Sequence, residues 1–207
     1  MNPAPFSPSA DRNKQPILDV LQGQLPSDGL ALEIASGTGQ HAAWFMAALP
    51  HWNWQTSDFD ANALPGIARW LAQSDISRAP PPVRLDVCDM RWPSQGAEFA
   101  QRFDLVYCAN MLHVAPWACC AALMQGCARY LAAQGLLVLY GPYLEADVPT
   151  APGNAAFDQD LRARNLSWGL RAREDVDAQA ARFGLVLRAR HAMPANNLLL
   201  VFEREAS

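Results

Sequence analysis

The chain has 207 residues, 51% of them hydrophobic, with a formal net charge of −4. That size and apolar content suit one compact domain with a full core, and the acidic balance gives no basic footprint for a nucleic acid. No apolar run approaches the roughly 18 residues of a membrane span, and Met1–Phe6 lacks the charged and apolar regions of a secretory signal, so a cytoplasmic protein is expected.

Residues 1–16 are rich in Pro, Asn and Ser and read as an extended arm, either solvated or folded as a flap over a ligand. The polar cluster Arg12-Asn13-Lys14 lies just before an amphipathic helix carrying Ile17, Leu18, Val20 and Leu21. Leu30–Ala35 is an apolar strand, followed by Ser36-Gly-Thr-Gly39 and a helix from about Gly39 to Leu49. Glycine tolerates positive φ and lets a ligand approach the backbone. The helix beyond it points unpaired N–H groups at the turn, so strand, Gly-x-Gly and helix together suit a nucleotide. On its own this pattern also fits an ordinary turn.

Trp52–Asp58 alternates apolar and polar residues as a second strand. Asp58 lies 58 − 39 = 19 residues past Gly39, where a carboxylate at the tip of the next strand grips a ribose diol. Pro65 opens a helix with Ile67, Trp70 and Leu71 on one face. Val83–Val87 is a third strand containing Asp86, and Phe103–Asn110 a fourth. Pro116 starts a long helix for which Gly135 is the expected C′ residue, and Gly135–Gly141 is a buried fifth strand.

The tail is less regular, with a short helix near Phe157–Ala163 and another over Arg171–Arg182. Leu185–Ala192 and Leu198–Phe202 are strands joined closely enough to be antiparallel. The arginines at 162, 164, 171 and 173 are expected on a solvated face.

The element order argues an α/β fold with an open, mostly parallel sheet, which binds ligands beyond its carboxyl edge. Ser36, Asp58, Asp86, Asn110 and Tyr140 all lie at such strand ends. Lys14 is the only lysine, which excludes a Tyr-x-x-x-Lys oxidoreductase, a lysine Schiff base and a Walker lysine. The five cysteines, at 88, 108, 119, 120 and 127, lack metal-ligand spacing and are expected as buried free thiols, with no metal.

Glu33-Ile-Ala-Ser-Gly-Thr-Gly39, with its acidic residue 37 − 33 = 4 positions before the Gly-x-Gly, resembles the first motif of class I S-adenosylmethionine-dependent methyltransferases. Phe6-Ser-Pro8, Arg12-Asn-Lys14, Trp117, Tyr140-Gly-Pro-Tyr143, Asn154-Ala-Ala-Phe157 and Met193–Val201 extend the resemblance to a family of short methyltransferase-like proteins of bacteria and animals with no defined substrate. It implies a single Rossmann-like domain over 17–207, a seven-stranded sheet ending in an antiparallel hairpin, and S-adenosylmethionine as cofactor.

The resemblance also implies roles by position. Gly37, Thr38 and Gly39, with Ser36 beside them, would line the methionine part of the cofactor. Glu33 would orient its amino group, Asp58 would take the ribose, Asp86 and Val87 the adenine, and Asn110 the sulfonium end. Ala35 departs from the third glycine of many relatives, and its methyl group would narrow the approach. Apart from the resemblance, the polar cluster tethered just before the first helix suggests that Arg12, Asn13 and Lys14 fold over the open strand ends and close the site, with Arg12 or Lys14 meeting the cofactor carboxylate or an anionic acceptor.

His113, three residues past Asn110, is either a general base or a helix-capping histidine. Tyr140, Tyr143 and Trp117 either wall the acceptor or pack in the core. Asn154 is a further acceptor-side residue implied by the resemblance. There is no Asn-Pro-Pro-Tyr or Asp-Pro-Pro-Tyr after the fourth strand, which argues against base- or amide-nitrogen methylation of the kind that uses that motif; a small-molecule acceptor is expected. The expected assembly is a monomer or homodimer, with no nucleic acid and no membrane. The rival readings are a non-catalytic nucleotide sensor or adaptor on the same fold, and a nicotinamide-dependent oxidoreductase.

Overall fold

The computed structural model describes residues 4–74, 76 and 78–205. Ser7 caps the first helix, α1 (Pro8–Gln24), its Oγ accepting from the Ala10 N–H at 3.3 Å, and Pro8 occupies the first turn. A Ser cap followed by Pro at N1 is a strong helix start. Residues 8–16 are therefore helical, and of the expected extended arm only residues 4–7 among those described precede the helix. Ile17, Leu18 and Leu21 bury the apolar face of α1, which packs on α2.

The chain continues as β1 (Gly29–Ile34), α2 (Gln40–Ala48), β2 (Trp52–Asp58), α3 (Leu64–Gln73), β3 (Val83–Arg84), β4 (Phe103–Ala109), α4 (Ala118–Tyr130) and β5 (Leu131–Gly141). Then follow β6 (Tyr143–Leu144), α5 (Pro152–Arg164), β7 (Arg171–Ala172), α6 (Arg173–Ala181), β8 (Leu185–Met193) and β9 (Asn197–Arg204). The main sheet has seven strands in the order β3-β2-β1-β4-β5-β9-β8, parallel except where β9 runs against β5 and β8. A parallel pair, β6 and β7, lies outside it. Among the described residues no helix is long and apolar enough to cross a membrane.

Two cores cover the two faces. Ile17, Phe45, Trp54, Ile67, Tyr107 and Tyr140 lie in the one beneath α1, α2 and α3. Leu32, Val106, Leu123, Tyr130, Val176 and Tyr143 lie in the other, beneath α4 and α6. Gly135 does not cap α4. That helix ends at Tyr130, whose successor Leu131 is extended, and Gln134 takes the positive φ of 62°. The register between β4 and β5 shifts between Phe103 and Leu105, so β5 begins four residues earlier than its apolar run.

The order matters for ligand binding. From β1 the chain steps outward through β2 to β3, then returns to place β4 on the other side of β1. The crevice at such a reversal, beyond the carboxyl ends of the strands, is where open α/β sheets bind ligands.

Candidate functional site

Both strands at the reversal end in left-handed backbone: Ala35 after β1 has φ 55° and Asn110 after β4 has φ 59°. Both of these turn residues border the crevice. The glycine turn follows, with φ 57° at Gly37 and 87° at Gly39. The two glycines do different work. A Cβ on Gly39 would stand 2.8 Å from the Ile67 Cα, so Gly39 lets α3 pack against the start of α2. A Cβ on Gly37 would meet only the Ala35 carbonyl oxygen, at 4.0 Å, so Gly37 leaves its space to the crevice.

Asp58 ties this turn to β2. Its Oδ2 accepts from the Gly37 N–H at 2.9 Å and its Oδ1 from the Asp60 N–H at 3.0 Å. Each oxygen keeps a further lone pair for a hydroxyl. A cavity of about 500 Å³ lies here, lined by Ala35, Gly37, Asp58, Asp86, Val87 and Asn110, with apolar walls from Leu85, Met111 and Val114. An open glycine, a carboxylate at a strand tip and an apolar slot beyond it fit a nucleoside with a free diol.

Other expected cofactor residues sit behind this surface. Ser36 does not line the cavity; its N–H donates to the Ser57 carbonyl at 2.8 Å and its Oγ accepts from the Ser57 N–H at 3.2 Å, stitching β1 to β2. Thr38 donates to Gln40 Oε1 at 3.0 Å. Glu33 is buried, and Trp54 Nε1–H donates to its Oε2 at 2.9 Å. Burial pushes its carboxyl up to about 8; the Trp54 hydrogen bond opposes this and the nearby Asp58 charge adds to it. Glu33 is thus protonated in the ligand-free protein at neutral pH, and a cation arriving beside it would draw the proton off.

The sign of the linkage is set by that upward shift. Between pH 4.5 and about 8 the unfolded chain has released the Glu33 proton and the folded chain keeps it. Stability contributed by the neutral group is present below pH 4.5 and lost as the pH rises through about 8. Glu33→Gln removes the titration, so its Tm relative to wild type is expected to rise as thermal melts move from pH 5 to pH 8. A constant difference across those melts would show that Glu33 ionises normally.

A second cavity, of about 600 Å³, adjoins the first and shares Asn110 with it. Arg12, Asn13, His113, Tyr140, Asn154 and Phe157 line it. Asn110 is braced by its N–H to the Tyr140 carbonyl at 2.8 Å. The His113 ring is largely buried, edge-on to Phe157 at 5.5 Å. Burial, helped by the Arg171 charge, pushes it down to about 4, so it stands neutral. Its ring nitrogens make no hydrogen bond among the described residues, so it does not cap the following helix. Asn154 donates from Nδ2 to the Asn196 carbonyl at 3.0 Å, holding α5 to the β8–β9 turn at the cavity edge.

Three expected acceptor-side residues lie elsewhere. Tyr143 is in the core beneath α4 and α6, against Cys108 and Cys120, with its hydroxyl pushed up by burial. Tyr140 faces the opposite core; three positions apart along extended chain, the two rings point to opposite sides. Trp117 sits at the start of α4, with the Arg171 guanidinium over its ring at 5.6 Å, and does not line the cavity. Lys14 pairs with Asp11 and lies over the Trp44 ring at 4.4 Å. Three consecutive helical residues span about 200°, so α1 sets Arg12 and Asn13 on the edge of the second cavity and Lys14 against Trp44 of α2.

Some working residues escape the sequence patterns. Arg171, expected on a solvated face, donates to the carbonyls of Leu112 at 3.0 Å and of Ala115 and Ser167 at 2.7 Å, bracing the loop that carries His113. Not all the cysteines are buried: Cys88 is exposed, 3.5 Å from Cys119 at the rim of the first cavity. His41 carries no sequence signal beyond its place after the glycines.

The same architecture recurs in solved structures. An O-methyltransferase family protein from Burkholderia thailandensis superposes with a TM-score of 0.79 at 17% identity, covering 96% of this chain and 58% of that one. A putative O-methyltransferase from Nostoc punctiforme gives 0.78 at 18%, covering 94% and 56%. A methyltransferase of calicheamicin biosynthesis in its SAH-bound form gives 0.75 at 15%, covering 96% and 55%. This chain spans a little over half the length of each. The molecule thus has the fold of class I S-adenosylmethionine-dependent methyltransferases, with seven strands, mostly parallel, and an antiparallel C-terminal pair. It belongs to the family described as "Protein of unknown function (DUF938)", whose model matches residues 4–204.

Proposed function

We propose that the protein transfers a methyl group from S-adenosylmethionine to a small-molecule acceptor. The observation that carries this is the pair of cavities meeting at Asn110: one suited to a nucleoside, the other holding a neutral, unbonded imidazole. Bound S-adenosylmethionine supplies a methyl group already electrophilic on its sulfonium sulfur. The chain then has to align an acceptor and exclude water. Asp58 and the Gly37 turn would hold the nucleoside, and the Asn110 loop would set where the two cavities meet. His113, neutral above about pH 4, would take a proton from an acceptor that must lose one. The fold neighbours described as O-methyltransferases favour an oxygen acceptor, for which such a base is useful.

Calorimetry with S-adenosylhomocysteine in the presence of chelator tests the reading. Binding without metal supports it; no heat there with clear binding of NADH would turn the assignment to an oxidoreductase. Binding without turnover across a metabolite screen would favour the sensor. With an acceptor in hand, His113→Gln is expected to lower turnover by about 100-fold and leave S-adenosylhomocysteine affinity unchanged. Equal turnover in the variant would remove the base.

A further inference from the structure

We propose that His41 is a positioning residue: it turns the Asn13 amide N–H groups into the second cavity, where with Arg12 and Tyr140 they form a site for a carboxylate. The inference rests on the methyl-donor reading above.

The polarity follows from one buried chain of hydrogen bonds. The Tyr107 hydroxyl is fully buried, and among the described residues its partner is His41 Nδ1, at 3.3 Å. A buried O–H with one partner donates to it. Nδ1 is therefore the bare nitrogen. Burial pushes the His41 ring down to about 4, opposed by the Ala10 carbonyl and helped by the Lys14 charge, so it carries a single proton; with Nδ1 accepting from Tyr107, that proton sits on Nε2. Nε2 lies 2.6 Å from Asn13 Oδ1, and an N–H there needs the oxygen end of the amide. This fixes the Asn13 side chain with Nδ2 on the far side, toward the cavity it lines. The ring is held as well, stacked on Phe45 at 5.4 Å and edge-on to Tyr107 at 6.0 Å.

Burial pushes the Tyr140 hydroxyl up, and the Asn13 side chain opposes this as a facing donor does. With Nδ2–H donating, the Tyr140 oxygen accepts and its own proton is free to donate into the cavity. The Arg12 guanidinium stands on the same lip, one turn of α1 past Ser9, to which its Nη2 donates at 3.2 Å. The described lining contains no Asp or Glu, and His113 is neutral, so Arg12 is its one formal charge. A wall of amide, hydroxyl and guanidinium donors around a single cation is matched to a carboxylate. Its source is either the amino-acid end of the methyl donor or an acidic acceptor.

The test measures binding by calorimetry in wild type, His41→Phe, His41→Gln and Asn13→Asp. The probes are S-adenosylhomocysteine, 5′-methylthioadenosine, which keeps the nucleoside and sulfur but lacks the carboxylate, and benzoate. Phe keeps the ring volume and loses the Nε2–H. Gln restores a donor at that reach. Asn13→Asp lies on the partly exposed helix α1 and faces the cavity with an acceptor instead of a donor, which guards against misfolding of the His41 variants. The expected result is a loss of about tenfold for S-adenosylhomocysteine in His41→Phe and Asn13→Asp, with recovery in His41→Gln and no change for 5′-methylthioadenosine. Unchanged S-adenosylhomocysteine with benzoate binding lost in the same two variants assigns the carboxylate to the acceptor instead. Wild-type-like binding of all three probes in both variants overturns the proposal and leaves the methyl-donor reading standing. If wild type binds neither nucleoside, the methyl-donor reading falls, and benzoate alone then decides for or against the site.

Discussion

Asp58→Ala is expected to weaken S-adenosylhomocysteine binding by about 1–3 kcal/mol, or roughly 5- to 150-fold. Two effects add. The carboxylate is the anionic side chain at the tip of β2 facing the first cavity, so its loss leaves a bound diol without a charged partner. It also accepts from the N–H groups of Gly37 and Asp60, so its loss unties the glycine turn from β2. Affinity by calorimetry, beside a thermal melt that confirms folding, is the measurement. An unchanged dissociation constant in a folded variant would place the nucleoside elsewhere.

The second large effect separates the two glycines. Gly39→Ala is expected to damage the fold. At φ 87° an L-residue is strained by roughly 1–2 kcal/mol, and the new methyl meets the Ile67 Cα at 2.8 Å, backbone that moves only with α3. Overpacking of that kind adds roughly 1–3 kcal/mol. At roughly 2–4 °C per kcal/mol for a chain of this size, Tm is expected to fall by about 10 °C. Gly37→Ala carries the backbone strain alone, because its Cβ enters open space. It is expected to melt closer to wild type yet lose S-adenosylhomocysteine affinity by about tenfold, since the methyl intrudes on the cavity. Equal melting losses in the two variants, with equal affinities, would dissolve the distinction.

The sheet was legible because its strands announce themselves. Trp52–Asp58 alternates and matches β2 residue for residue, and the Gly37–Gly39 turn with Asp58 at the next strand tip located the first cavity. Where the sequence misled, local chemistry was overridden or misweighed. The Pro, Asn and Ser content of residues 1–16 suggested an extended arm, yet Ser7–Pro8 is a helix start and Pro16 is tolerated within α1. Once 12–14 is helical, the three polar residues cannot share one face, and Lys14 is lost from the site. Tyr140 and Tyr143 read alike in sequence, but the pleat sends them to opposite cores. Ser36 looked like a ligand contact and is a stitch between strands. Arg171 and the His41–Asn13 pair depend on contacts 56 or more and 28 residues apart in sequence, which no local pattern encodes.

The central claim is that the cavities on either side of Asn110 are the two halves of one methyl-transfer site. A crystal structure of the protein soaked with S-adenosylhomocysteine tests it most directly. The expected result is ribose density at Asp58, the base between Leu85, Val87 and Val114, and the sulfur beside Asn110 facing the cavity of His113 and Tyr140. A nucleoside bound away from Asp58, or one whose sulfur faces solvent with Asn110 out of reach, would contradict it.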